Sequence, residues 1–84
     1  MKNDAKVAAR KVYAAAREAE AAARAINLPA AQDAIEIMHD ALAMLESFDA
    51  DMFDVMLDVA RDADAAVDRL REEQAKNVVV DIVK

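Results

Sequence analysis

One histidine and a nearby glutamate are the residues of this chain best suited to binding a metal. Glu36 and His39 are separated by two residues in the segment Glu36-Ile37-Met38-His39. On a helix, residues three apart lie on the same side, so this spacing places a carboxylate beside an imidazole. Both groups are common ligands of zinc and iron, but a metal centre needs several such ligands.

The Glu-x-x-His spacing resembles the half-site of the ferritin-like di-iron carboxylate bundles. The resemblance covers four residues, and it implies that a second such motif and further glutamates meet at the same point. His39 is the only histidine, so a second motif would have to come from another copy of the chain. Glu36 and His39 also fall at the f and b positions of the helical heptad, outside its apolar stripe. We therefore predict exposed side chains, no metal and no cofactor, and keep metal or haem binding through His39 as an alternative.

Residues for other chemistry are missing. The chain has no cysteine, which excludes thiolate metal sites and cysteine nucleophiles, and no glycine, which excludes phosphate-binding loops. Ser47 is the only serine, and it is better placed to cap a helix than to act as a nucleophile with His39. We predict that the protein is not an enzyme.

A ladder of like charges marks the third predicted helix. Asp54, Asp58 and Asp62 follow one another at intervals of four residues, and each repulsion costs a few tenths of a kcal/mol. One interpretation is a solvated face, balanced by the basic residues of the first helix. The alternative is a docking surface for a basic partner, as in a small acidic inhibitor protein that occupies a basic groove.

Charge is distributed unevenly along the chain. Residues 1–27 carry six basic and three acidic groups, residues 28–68 one basic and eleven acidic, and residues 69–84 four basic and three acidic. An acidic middle segment disfavours binding to nucleic acid, because phosphate contacts need a basic face. No stretch has the roughly 20 apolar residues that span a bilayer, and no secretory signal is present. We therefore predict no membrane association and a soluble protein that is cytoplasmic if natural.

Apolar residues at helical spacing predict one all-α domain, residues 1–84, folded as an up-down-up three-helix bundle. Asn27-Leu28-Pro29 ends the first helix, and the second break lies between Ser47 and Asp51. The expected elements are helices over about 4–26, 29–47 and 51–76, followed by a tail at 77–84. The valine-rich tail favours extended structure as a strap or strand, with continuation of the third helix as a further alternative.

The first helix presents a seam composed almost wholly of alanine at the a, d and e positions of its heptads. Such small side chains allow two helix backbones to approach closely, and we single out Ala15 and Ala19 as central to this contact. The ten seam residues are Ala5, Ala8, Ala9, Val12, Ala15, Ala16, Ala19, Ala22, Ala23 and Ile26.

Several larger apolar residues lie at the edge of these stripes or outside them. Ile37 and Met44 border the stripe of the second helix, and Val55 and Leu57 lie outside that of the third. If they are left uncovered they form a patch that favours self-association. We predict a non-enzymatic structural or protein-interaction bundle that forms a homo-oligomer, most simply a dimer. Matched helix lengths are typical of a de novo design, whereas the aspartate-rich third helix is less idealised, and both origins stay open.

Overall fold

Three long helices make up the described part of the chain. The computed structural model describes the backbone of residues 2–83 and the side chains of residues 4–76. The helices are α1 (Lys2–Arg24), α2 (Leu28–Phe48) and α3 (Ala50–Val83). Each helix contacts the other two, and within residues 2–83 there is no strand. The predicted all-α, up-down-up three-helix bundle is confirmed.

Two short connections separate the helices, and an Asx side chain caps the helix that follows each. The Asn27 side-chain oxygen accepts a hydrogen bond from the Ala30 backbone N–H at 3.3 Å, and Pro29 occupies the first turn of α2. The Asp49 carboxylate accepts one from the Met52 N–H at 3.1 Å. Since Asp49 also donates its own N–H to the Leu45 carbonyl, this single residue ends α2 and starts α3.

The alanine seam of α1 forms one wall of the core. Five of its eight alanines are buried, and Val12, Ala16 and Ala19 are completely inaccessible. They pack with Met38 of α2 and Val67 of α3 in the main hydrophobic cluster. A second cluster at one end of the bundle joins Ala5 and Ala8 to Leu45. The alanine side of α1 is therefore buried against both neighbouring helices, as the sequence predicted.

Ile26 departs from the predicted seam. α1 ends at Arg24, and Ile26 lies in the turn with 68% of its surface exposed and a φ of 57°. The left-handed conformation brings Cβ close to the carbonyl oxygen and costs an L-residue about 1–2 kcal/mol. The turn fixes this backbone, because Asn27 N–H returns to the Ala22 carbonyl at 2.9 Å.

Replacing Ile26 with glycine is expected to stabilise the protein by about 0.5–1 kcal/mol, because the relieved strain exceeds the entropy that glycine loses on folding. Little burial is lost, since the isoleucine is mostly exposed. Urea denaturation measures the change. Ala25→Gly is the matched control, because Ala25 has no positive φ and glycine there should only destabilise. Equal effects of the two substitutions would contradict the strain at Ile26.

The third helix is longer than the sequence indicates. Its backbone continues past Lys76 to Val83 instead of giving way to an extended tail at 77–84. Valine and isoleucine cost a helix only about half a kcal/mol each, and neither glycine nor proline lies between Ala50 and Val83 to stop it. What the side chains of residues 77–84 contact lies outside the described residues.

Candidate interaction surface

α3 covers only one side of the hairpin formed by α1 and α2. The groove between α1 and α3 is lined by Tyr13, Glu20 and Val59. The groove between α2 and α3 is lined by His39 and Asp64 among others. These residues identify the sides of α1 and α2 that face α3. The opposite side of the hairpin has no helix of this chain packed on it within the described residues.

Four large apolar side chains lie on that opposite side, which we call the uncovered face. With 3.6 residues per turn, Val7 on α1 and Ile37 and Met44 on α2 point away from α3, and Phe48, the last residue of α2, lies at the edge of that side. Each is 47–54% exposed, and together they are four of the seven large apolar residues exposed in the described part of the chain. Scattered apolar residues are common on surfaces, but a cluster on one face is typical of a contact surface.

The small and apolar residues predicted to take part in interactions do not all lie on this face. Ile37 and Met44 lie on the uncovered face. Ala15 and Ala19 are buried against helices of the same chain, so their contact is internal and they are not accessible to another protein. Leu57 is half-buried on α3 and does not belong to the uncovered face.

Sequence reasoning missed two members of this face. Phe48 falls at the last position of the apolar stripe of α2, a spacing that favours burial, but it is about half exposed because the helix ends there. It also lines an open groove at the end of the bundle with Ala5 and Met52. Val7 begins a second small or apolar stripe on α1 that continues through Ala14 and Ala21, seven residues apart. This seven-residue repeat is the sequence pattern from which Val7 could have been assigned to the uncovered face.

The possible metal ligands Glu36 and His39 are exposed, as predicted. His39 Nε2 lies 3.1 Å from both carboxylate oxygens of Asp64, a residue on α3. Nearby, Arg71 donates a hydrogen bond to Asp68 at 3.3 Å. No group of three or more His, Cys, Asp or Glu side chains is arranged to hold a metal in the described residues. The His39–Asp64 pair joins α2 to α3, and exposed pairs of this kind contribute about 0.2–1 kcal/mol.

The aspartate ladder is exposed along α3. Asp54, Asp58 and Asp62 all face solvent, and none of them forms an ion pair with another described residue. Two of the basic residues of α1 are occupied locally. Arg17 donates a hydrogen bond to the Tyr13 hydroxyl at 2.9 Å, and Arg24 pairs with Glu20 at 3.9 Å. Among the described residues, no ion pair with α1 balances the ladder.

Comparisons with known proteins add no relative: no family model matches the chain, and neither a curated protein nor a solved structure is significantly similar to it. None of the described helices combines the length and the apolar character that crossing a membrane requires.

Proposed function

We propose that this protein is a non-enzymatic helical interaction module that associates with itself through the uncovered face. The observation that carries the proposal is the grouping of Val7, Ile37, Met44 and Phe48 on the one side of the α1–α2 hairpin that α3 leaves open. A fourth helix, or a helix pair from another molecule, would complete the packing of this hairpin on both sides.

The available burial favours a dimer of moderate affinity. Completely burying a large apolar side chain contributes about 1.5–3 kcal/mol. The four large side chains of the uncovered face are about half exposed, so burying the rest of each in a dimer would contribute roughly half of that free energy. A 21-residue helix such as α2 is about 31 Å long, and the bundle is 17 Å across. A face of these dimensions is small among specific interfaces, so we expect a dissociation constant in the micromolar range.

Ile37→Glu combined with Met44→Glu is expected to weaken self-association at least about 100-fold, because each dimer would bury four uncompensated carboxylates. Sedimentation velocity over a concentration series measures the effect. The parent chain should shift from monomer to dimer as concentration rises, while the double variant should stay monomeric.

Val55→Glu is the matched control. Val55 is 66% exposed on α3, so this substitution also places a charge on an exposed apolar position, but away from the uncovered face. It should leave the dissociation constant unchanged, and circular dichroism should show that all the variants keep the parent helix content. A parent chain that stays monomeric at millimolar concentration would refute the proposal. An equal loss of association in the Val55 variant would refute the choice of surface.

A further inference from the structure

We infer that the two copies pair about a two-fold axis perpendicular to the helices, so that α1 lies antiparallel on α1 of the other copy and α2 on α2. This inference rests on the proposed self-association through the uncovered face and adds its geometry. Its basis is the change in side-chain size from one end of that face to the other.

The uncovered side of the hairpin is built in layers, each with one residue from α1 and one from α2. α1 and α2 run in opposite directions, and Ala5 and Ala8 pack with Leu45 at one end. Counting from that contact at 1.5 Å per residue shows which residues are level with one another. In both helices the stripe repeats every seven residues, and its members are exposed. The layers are Val7 with Met44, Ala14 with Ile37, and Ala21 with Ala30.

Side-chain size falls along this face. The layer nearest the start of α1 has two large residues, the middle layer has one large residue and one alanine, and the layer nearest the α1–α2 turn has two alanines. Helix axes pack about 8–10 Å apart, at a distance that depends on the side chains between them. A surface that fits this face must therefore present small residues at the first end and large residues at the other.

A second copy presents such a surface when its direction is reversed. A perpendicular axis through the middle layer brings Val7 and Met44 of one copy against Ala21 and Ala30 of the other, while the middle layer meets its own counterpart. Because the contact is symmetric, each pairing occurs twice. Every layer of the dimer then contains two large and two small side chains, so the helices stay evenly spaced along the whole contact.

The other face-to-face arrangement has its two-fold axis parallel to the helices and preserves heights, so that α1 lies over α2 of the other copy. The three layers would then contain four large side chains, two and none. The large side chains hold the helices apart at one end, so the alanines at the other end are left without close contacts. Lost contacts of this kind disfavour the parallel axis.

The charged residues of the face favour neither arrangement. Helical spacing places Lys11 and Glu18 on the uncovered side of α1 and Asp33 and Asp40 at the outer edge of α2, and all four are exposed. The perpendicular axis brings Lys11 to Glu18 of the other copy and Asp33 to Asp40. The parallel axis brings Lys11 to Asp40 and Glu18 to Asp33. Each dimer thus has two contacts between opposite charges and two between like charges, and side-chain size decides.

Cysteine crosslinking distinguishes the two arrangements, because the chain contains no cysteine of its own. Ala14→Cys should form a disulfide between two copies of the same variant, because the perpendicular axis passes through this layer. Mass-tagged Ala21→Cys, mixed with untagged Ala30→Cys under reducing conditions and then oxidised, should form no mixed disulfide, because these residues of the two copies lie about 21 Å apart along the dimer. The parallel axis predicts the reverse in both trials. Val55→Cys, on α3 away from the face, measures the background from random collisions.

Enlarging the layer of two alanines is an independent test. Ala30→Met should raise the dissociation constant roughly tenfold, because the new side chain meets Met44 of the other copy. Adding Met44→Ala to the same chain should return the constant toward the parent value, because one large and one small residue face each other again. With the parallel axis, Ala30→Met would instead strengthen association by filling the space between alanines.

Three results would overturn this inference and leave the proposed function standing. They are a dimer that forms the Ala21–Ala30 disulfide, one that forms the Ala14 disulfide no faster than the Val55 disulfide, and one that does not weaken on Ala30→Met. Absence of any dimer of the parent chain overturns both the inference and the proposed function.

Discussion

Replacing Leu45 with alanine is expected to lower the free energy of unfolding by about 2–5 kcal/mol, the range for removing a buried leucine side chain. Leu45 is completely buried at the end of the bundle, where it packs on Ala5 and Ala8. The methyl groups of those alanines cannot rotate into the space left behind, so refilling depends on the half-buried Met52 and Met56, which also pack on this cluster. A domain of this length is typically stable by about 4–13 kcal/mol, so the variant is expected to lose a large share of its stability.

Urea denaturation at a fixed protein concentration measures this loss, since self-association stabilises the folded state more as concentration rises. Leu45→Met is the control, because a substitution that preserves volume costs less than about 1.5 kcal/mol. Leu57→Ala, at a half-buried position of α3, should also cost less than Leu45→Ala. A loss below about 1 kcal/mol for Leu45→Ala would contradict the packing of the end cluster, because such a value is outside the range for core truncation.

Enlarging the alanine seam is expected to destabilise the bundle as well. Ala15→Leu and Ala19→Leu should each cost about 1–3 kcal/mol, because each inserts three carbon atoms into a contact already closed by methyl groups. Both positions are buried, and both belong to the cluster that includes Met38 and Val67. Thermal unfolding by circular dichroism detects the loss as a lower midpoint.

Ala21→Leu serves as the control for helix propensity. Ala21 is exposed on the same helix, and alanine and leucine are both strong helix formers. It should therefore change the stability little. If leucine at Ala15 and Ala19 raised the midpoint, the seam would contain unfilled space, and close approach of the helices would be the wrong explanation for its composition.

The sequence was sufficient to predict the number of helices, their order and most of the core. Alanine recurring on one side of α1 identified its buried face, and Pro29 after Asn27 located the first turn. These features are local, because helical periodicity and capping depend on residues within one or two turns of each other. Ala15 and Ala19 were correctly expected to pack, although their partners lie within the same chain.

The rest depended on the arrangement of the helices in space. His39 and Asp64 meet across a separation of 25 residues, which no local pattern reveals. The side of the hairpin that α3 occupies decides whether Ile37 and Met44 are buried or exposed, and their heptad positions fit both outcomes. The positive φ of Ile26 is imposed by the closure of the turn, because a β-branched residue disfavours a positive φ on its own.

Isotope-filtered NOE spectroscopy on a mixture of labelled and unlabelled chains tests the central claim most directly, because it detects only contacts between copies. At a concentration where sedimentation shows a dimer, we expect NOEs between copies that involve the methyl groups of Val7, Ile37 and Met44. Contacts between copies that involve Tyr13 and Val55 but neither Val7 nor Met44 would show that the uncovered face is not the surface through which this protein associates.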